Sequence, residues 1–551
     1  MSLRHRIAYM LALCAAGPAL AGPGSAAAEA PVVRAPAGPI RGAYGNGVSV
    51  YRGIPYAEAP VGERRWRPPV PKAPWQDVAD ATRFGPPCFQ PASRPSASSI
   101  YSEELPEMSE DCLSLNIWAP EGSAKAPVFV WIHGGALVGG MGSSLMYDGT
   151  RLAREGVLVV SLNYRLGPLG FLAHPELSAE SAEGISGNYG LLDQIEALRW
   201  IQRNIAAFGG DPDNVTIAGE SAGALSVMYL LTSPLAEGLF DKAVMQSAYM
   251  VSTPALKRPQ YGHPASEAIG TWLQGQLGVR GISEMRAMSA RDLTDRSLAA
   301  GYPTWVTVDG KVIPDQTVDV FDAGQQARVP LLAGFNSGEI RTLRRLLPPI
   351  PEDRGEYEAK IRAAYGDSAA RYLAAYPSGN VEESMLAATR DALYGWTVQR
   401  MGEKHTAAGS AAYLYLFDHG YPAADNAGLH AFHAAEIPFV FGTIWQTYPN
   451  WPQVPRTPDQ AALSQTMVEY WSSFAKTGKP VAKGQPEWPA FDARKPFMVF
   501  DGSARVVRDV MGDRYDLHEE TVCRRRAAGD QQWNWNVGVI SPPLPPKAPQ
   551  C

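Results

Sequence analysis

The chain has 551 residues, is 45% hydrophobic, and carries 49 basic against 55 acidic residues for a net charge of −6. That length exceeds the roughly 150 residues of an average domain, although a wide α/β sheet often folds as one unit. The mild acidity gives no electrostatic case for nucleic acid, and the one dense basic run, Arg524 to Arg526, reads as a solvated stretch near the C-terminus.

In chain order, the first segment reads as an export signal. Arg4, His5 and Arg6 form a charged region, Ile7 to Ala16 an apolar one, and Pro18 breaks the segment. Ala19-Leu20-Ala21 and Ala26-Ala27-Ala28 offer small-residue cleavage sites, so residues 1–28 are expected to be removed. The apolar stretch is shorter than the roughly 20 residues that span a bilayer, and no later segment reaches that length without charges. Leu13, where a small residue would precede a lipid-modified cysteine, argues against Cys14 as a lipid anchor. The mature chain is expected to be secreted or periplasmic, with residues 29–551 forming one domain. Four cysteines remain, Cys88, Cys112, Cys523 and Cys551, which allow three pairings. Proximity favours Cys88–Cys112 and Cys523–Cys551, in keeping with an oxidising compartment. No C-x-x-C spacing suggests zinc.

Nearly continuous apolar runs at Val128–Ile132 and Val157–Leu162 predict buried strands. Leu191, Leu192, Ile195, Leu198, Ile201 and Ile205 follow helical spacing across residues 189–208. Val215–Ala218 predicts a strand and Ala222–Leu231 a helix. Further strands are expected at 243–245, 330–333, 413–417 and 497–500, with an amphipathic helix over 461–474. Strand-helix alternation predicts a large, mostly parallel sheet covered by helices on both faces, with functional loops at the strand C-termini. The tail after Trp533, with Ser541-Pro542-Pro543-Leu544-Pro545-Pro546, is expected to be extended and pinned by Cys551.

Residues 219–223 read Gly-Glu-Ser-Ala-Gly, a G-x-S-x-G set between a strand and a helix. A serine hydroxyl is a poor nucleophile unless it is held out on a tight turn and partnered with a base, and the glycines permit that turn. Ser221 is thus a candidate nucleophile. His133-Gly134-Gly135-Ala136 directly follows a strand, where glycines let backbone N–H groups approach a reacting carbonyl. Gly134, Gly135 and the N–H of Ala222 are candidate oxyanion donors. No Lys-Ser/Thr follows, which disfavours a phosphate cradle. The base must be one of nine histidines. His430 and His433 fall together in His-Ala-Phe-His-Ala-Ala-Glu, and a metal reading with Glu436 competes, without a His-Glu-x-x-His pattern to support it. Glu339, at the end of a strand, is either the carboxylate that orients an imidazole or a surface group beside Arg341. The order Ser221, Glu339, histidine is that of α/β-hydrolases.

From about residue 31 to 510 the chain resembles the type-B carboxylesterase family, the cholinesterase-like branch of the α/β-hydrolases. The resemblance is carried by Tyr51-Arg52-Gly53-Ile54-Pro55-Tyr56-Ala57, by residues 110–118, and by Asn163-Tyr164-Arg165. Residues 187–194, 208–224 and 433–442 complete it. It implies Glu339 as the triad acid and His433, rather than His430, as the base. It also implies that Cys88 and Cys112 close an Ω-loop beside the gorge mouth. The family usually has Gly where Ala434 stands, and an aromatic residue or Thr where Ser114 stands. Choline-ester hydrolases place a tryptophan inside the Ω-loop for cation–π attraction. Residues 88–112 contain Phe89 and Tyr101 but no tryptophan, which disfavours a choline-specific enzyme.

The resemblance implies hydrolysis of small-molecule esters through an acyl-enzyme on Ser221, without metal or other cofactor. With an ordinary imidazole, activity would fall as His433 protonates below about pH 6.5. The alternatives are a non-catalytic binding domain of the same fold, and an amidase or peptidase using the same triad. Arg341, Arg344 and Arg345 either form a solvated helix face or meet an anionic acyl group, as a detoxifying esterase would require. Asn214-Val215-Thr216 is a glycosylation sequon better explained as the strand leading to the elbow.

Overall fold

The computed structural model describes residues 31–92 and 98–551; the export signal expected over 1–28 lies outside them. In chain order the strands are β1 (Val32–Ala35), β2 (Gly38–Arg41), β3 (Ala43–Gly45), β4 (Val48–Pro55), β5 (Ala79–Asp80), β6 (Ser114–Pro120) and β7 (Ala126–Ile132). They continue with β8 (Leu158–Leu162), β9 (Gly210–Glu220), β10 (Lys242–Gln246), β11 (Leu331–Asn336), β12 (Ala412–Phe417), β13 (Pro496–Phe500) and β14 (Ala504–Arg508). An 11-stranded sheet runs β14-β13-β12-β11-β10-β9-β7-β8-β6-β4-β3, and β1, β2 and β5 form a separate small sheet. From β13 through β8 all neighbours are parallel. Beyond them, β14 at one edge and β6, β4 and β3 at the other are antiparallel.

The centre of the sheet is buried on both faces, which is why β8 and β10 are buried along their whole length and are apolar except for Ser161 in β8 and the two end residues of β10, Lys242 and Gln246. One core cluster holds the face lined by Val128, Val130, Ile217 and Met245. A second holds the opposite face, with Phe129, Trp131, Val244 and Trp471. The predicted helix over 189–208 is an α-helix to Asn204 followed by a tighter turn, Ile205–Phe208. The helix expected at 461–474 extends over Pro458–Thr477. No helix of the described residues is long and apolar enough to cross a membrane.

Both disulfides form as proximity favoured, Cys88–Cys112 and Cys523–Cys551. The tail expected to be extended lies without regular structure over 541–551. The basic run at 524–526 is not a solvated stretch. Arg524 and Arg525 are buried on the helix Asp513–Ala528. Arg524 donates to Asp367 and to the Pro545 carbonyl, Arg525 to the Trp535 carbonyl and Ser541, and Arg526 to Asp322 and Asp319. Carboxylates from other helices and carbonyls of the folded-back tail replace water around these guanidinium groups. Asn214, in the sequon, lies in β9 and donates to the Lys476 carbonyl at 3.3 Å.

Two of the segments carrying the family resemblance meet in one ion pair. Arg165 donates to Asp193 through Nε at 2.8 Å and Nη2 at 2.7 Å, both side chains buried. A bidentate pair of this kind fixes the loop after β8 against the helix Tyr189–Asn204.

Candidate active site

β9 ends at Glu220, and the helix Ala222–Thr232 starts two residues later, so Ser221 alone makes the turn. Its φ of 55° and ψ of −121° lie outside the regions a side-chain-bearing residue normally occupies. Such strain persists only where the surroundings fix it. Here the Ser221 N–H donates to the Gln246 carbonyl of β10 at 2.9 Å, and its carbonyl accepts from Leu225 N at 2.8 Å. A Cβ on Gly223 would lie 2.0 Å from the Ile132 carbonyl oxygen, so only glycine lets the helix approach β7 this closely.

The loop after β7 packs against the serine. A Cβ on Gly134 would stand 3.3 Å from the Ser221 Cβ. Gly135, Ala136 and Leu137 all have positive φ, at 112°, 57° and 61°. Consecutive residues of this kind turn backbone N–H groups into a concave face suited to an anion. Among the described residues, the N–H groups of Gly134, Gly135 and Ala222 have no acceptor. His133 does not face the serine. It is buried, stacks on Tyr164 with ring centroids 4.5 Å apart, and burial lowers its pKa to about 4.

Glu339 and His433 come together although far apart in sequence. Glu339 opens the short helix Glu339–Thr342 after β11 and is fully buried. Its Oε1 accepts from Ser247 Oγ at 2.6 Å and from Asn336 N at 2.9 Å, and its Oε2 contacts His433 Nδ1. The other imidazole nitrogen, Nε2, lies 3.1 Å from Glu220 Oε1. Among the described residues the Ser221 hydroxyl makes no hydrogen bond, so the imidazole rests against Glu220 rather than against the serine. Burial opposes the imidazolium charge, but Glu220 and Glu339 outweigh it and raise the His433 pKa to about 9. Burial in turn pushes Glu220 up to about 8, with His433 pulling the other way. The two groups compete for one proton and titrate as a pair.

His430 goes elsewhere. Its Nδ1 lies 2.8 Å from Asp425 and its Nε2 3.2 Å from Asp418, contacts that raise its pKa to about 9. The residues 430–436 are not helical, so the shared helical face that a His430–His433–Glu436 metal site requires does not exist. Glu436 instead accepts from Gln246 Nε2 at 2.9 Å and Asn336 Nδ2 at 2.6 Å. Ala434, where the family usually has Gly, has a φ of 69°. That left-handed position favours glycine and costs alanine about 1 kcal/mol.

Several residues around this cluster carry no sequence pattern of their own. Glu220 is the variable letter of the pentapeptide, while Ser247, Asn336 and Gln246 sit at the C-terminal ends of β10 and β11. Only their place at the strand ends marks them. Tyr394, held on a π-helical turn over Asp391–Gly395, brings its ring centroid 5.7 Å from that of His433. Such turns recur at functional sites.

Comparison with known proteins gives the family and the fold. A sequence profile of the carboxylesterase family matches residues 29–516. The chain is 37% identical over 485 residues to a fumonisin B1 esterase of Sphingopyxis macrogoltabida, covering 84% of this chain and 85% of that one. It is 36% identical over 492 residues to a para-nitrobenzyl esterase of Bacillus subtilis, covering 86% and 95%. A solved PNB esterase structure superimposes with a TM-score of 0.76 at 32% identity, covering 88% of this chain and 99% of that one. The chain therefore belongs to the carboxylesterase family, the type-B carboxylesterases, and is a carboxylic ester hydrolase of the α/β-hydrolase fold.

Proposed function

We propose that ester hydrolysis proceeds through an acyl-enzyme on Ser221, with His433 as base, Glu339 orienting it, and Gly134, Gly135 and Ala222 donating to the oxyanion. The observation that supports this most is the buried contact between Glu339 and His433 Nδ1 beside the strained serine. A carboxylate there fixes the tautomer that leaves Nε2 as the acceptor. On substrate binding, Nε2 leaves Glu220 and takes the Ser221 proton as Oγ attacks the ester carbonyl; catalytic hydrogen bonds commonly tighten only in the complex. The tetrahedral oxyanion is held by the three N–H groups. His433 then protonates the leaving alcohol, activates water, and returns the serine. Ser221→Ala is expected to abolish turnover of a chromogenic ester while preserving the thermal unfolding curve, and an organophosphate should label Ser221 alone. Full turnover by that variant would refute the assignment. Matched ester and amide substrates separate an esterase from an amidase or peptidase, and turnover of either rules out a purely binding domain.

One observation favours a finer reading, an esterase for bulky or anionic acyl esters of the detoxifying kind. Arg341 is bidentate to Glu383 and Arg344 pairs with Glu382, so both are neutralised on the surface. Arg345 is exposed and has no carboxylate partner among the described residues. It also acts electrostatically on Tyr249, whose ring packs on Tyr394 at 5.9 Å and so lies one ring from His433. A carboxylate on the acyl group would meet this cation at the rim. Arg345→Gln should lower kcat/KM for a hemisuccinate ester by roughly three- to tenfold and leave a neutral butyrate ester unchanged. Equal effects on both esters would remove the anionic reading and leave the esterase assignment standing. Secretion or periplasmic placement is supported by the two disulfides.

A further inference from the structure

We infer that Tyr101, carried on the loop closed by Cys88–Cys112, is a positioning residue for His433. The inference rests on the reading of His433 as the base. The histidine stands in a turn, one residue after an isolated parallel bridge between Phe432 and Gly338, and between two residues of positive φ, His430 at 52° and Ala434 at 69°. One local bond in that turn runs from Ala435 N to the Phe432 carbonyl at 3.0 Å. Three successive carbonyls are also held from outside. That of Ala431 accepts from Gly338 N at 2.8 Å, and that of Phe432 from Asn336 Nδ2 at 2.8 Å. Both donors belong to the segment that carries Glu339, so they fix the base segment to the acid segment. The third carbonyl, of His433 itself, accepts from the Tyr101 hydroxyl at 2.8 Å.

The Tyr101 oxygen also lies 2.8 Å from Thr342 Oγ1. A phenol has one proton. Since the His433 carbonyl can only accept, Tyr101 donates to it and Thr342 donates to Tyr101. Thr342 ends the short helix that Glu339 begins. One hydroxyl therefore joins the base residue, the acid's helix and the disulfide-closed loop.

The ring is wedged as firmly as the hydroxyl. It meets Trp451 edge-on at 6.0 Å, and Trp451 packs at 4.8 Å on Phe432, the residue before His433. Ser102 N donates to Ser99 O at 3.0 Å, closing the turn that presents Tyr101. His433 is only 5% exposed, so without the phenol its carbonyl would be buried with no donor. The backbone would then relax to find one, and the imidazole with it. An imidazole that must move between Glu220 and Ser221 is sensitive to such a change, because a displacement of about an ångström can cost a hundredfold in rate.

The test is Tyr101→Phe, which keeps the ring contact with Trp451 and deletes the hydroxyl. With a neutral chromogenic ester, and rates normalised by active-site titration, kcat is expected to fall about tenfold. KM should change less than twofold, and the ascending limb of the kcat–pH profile should move as His433 loses its fixed distance to Glu220. Thr342→Val, which removes only the donor to Tyr101, should give a smaller loss, and the double variant should lose no more than Tyr101→Phe alone. Wild-type kcat per titrated site in Tyr101→Phe overturns the inference. So does a loss seen only as less folded enzyme, or additive losses in the double variant. Failure of the underlying assignment would look different: His433→Ala would retain turnover, whatever Tyr101→Phe does.

Discussion

Gly134 and Gly135 are adjacent and both lie in the loop after β7, yet replacing each by alanine should have different consequences. A Cβ on Gly134 would stand 2.8 Å from the Glu220 carbonyl oxygen, 2.9 Å from Glu220 Oε2 and 3.3 Å from the Ser221 Cβ. These separations fall roughly half an ångström inside ordinary van der Waals contact. The backbone at Gly134 does not need a left-handed φ, so the fold can yield by moving the loop away from the serine. On the proposed mechanism, that motion withdraws the N–H groups from the developing oxyanion. Losing one such donor costs about 2.7–4 kcal/mol of barrier, or about 10²–10³ in kcat. Gly135 differs on both counts: its φ is 112° and its Cβ would lie 2.1 Å from the Gly139 carbonyl oxygen. No small shift accommodates that, so Gly135→Ala should compromise folding itself. The assay is kcat with a p-nitrophenyl ester per titrated site, alongside thermal unfolding. Gly134→Ala should unfold within a few degrees of wild type and turn over at least a hundredfold more slowly, while Gly135→Ala should give little folded enzyme. If Gly134→Ala keeps kcat within threefold of wild type, the loop does not serve the oxyanion.

With His433 raised to about 9 against Glu220 and Glu339, the free enzyme's kcat/KM should climb to a higher pH than an ordinary imidazole would allow, since only the neutral form accepts a proton. Glu220→Gln removes the carboxylate facing Nε2, so the limb should move to lower pH; a limb that stays within a few tenths of a unit would show that Glu220 does not act on the imidazole. Asp193→Ala leaves the buried Arg165 without its carboxylate and should destabilise by about 3–5 kcal/mol in denaturant unfolding; a loss under 1 kcal/mol would mean the pair is not what fixes the loop. Removing Cys523–Cys551, which are 28 residues apart, should cost about 2–4 kcal/mol through the freed chain entropy, read as a lower urea midpoint.

The parts of the fold that could be read from the chain are those where local pattern and burial coincide. The runs at 128–132 and 158–162 are apolar because both faces of the sheet centre are covered, and the spacing over 189–204 is helical because one side faces the core. The antiparallel edge, β3, β4 and β6, did not announce itself so plainly. β3 is mostly exposed, β4 mixes half-buried and buried positions, and β4 carries an irregularity against β6 between Tyr51 and Ile54. Arg525 misled for a different reason. A dense basic run near the C-terminus reads as solvated, but the partners of Arg525 are a carbonyl and a hydroxyl of the tail, brought back by a fold and a disulfide that composition does not reveal. At the site, Ser221 and the glycines were legible because a tight elbow and a close loop restrict residue type. Glu220, Asn336 and Ser247 were not, because any polar residue satisfies a short motif's variable position. Their roles arise only from where the strands end.

The supply of donors distinguishes the three glutamates buried around His433. Glu339 has the Asn336 N–H, the Ser247 hydroxyl and the imidazole. Glu436 has two side-chain amides, from Asn336 and Gln246. Glu220 Oε1 has no hydrogen bond of good geometry and only the nearby Nε2 as an electrostatic partner. A buried carboxylate so poorly supplied favours its protonated form, which is the direction burial pushes it. The imidazole therefore has two neighbours with opposite demands. Glu339 holds Nδ1 in every state, whereas Glu220 holds Nε2 only while the pair keeps its shared proton. Once that proton leaves the pair, the attraction that draws Nε2 to Glu220 disappears, and the nitrogen becomes an acceptor available to the Ser221 hydroxyl. Loss of the shared proton and alignment with the proposed nucleophile are then one event. It follows that Glu220→Gln should do more than shift a pH limb: at low pH, where the wild-type imidazole is held by Glu220, the variant should phosphonylate Ser221 faster than wild type. Slower phosphonylation across the whole pH range would mean that Glu220 assists the serine rather than withholding the histidine from it.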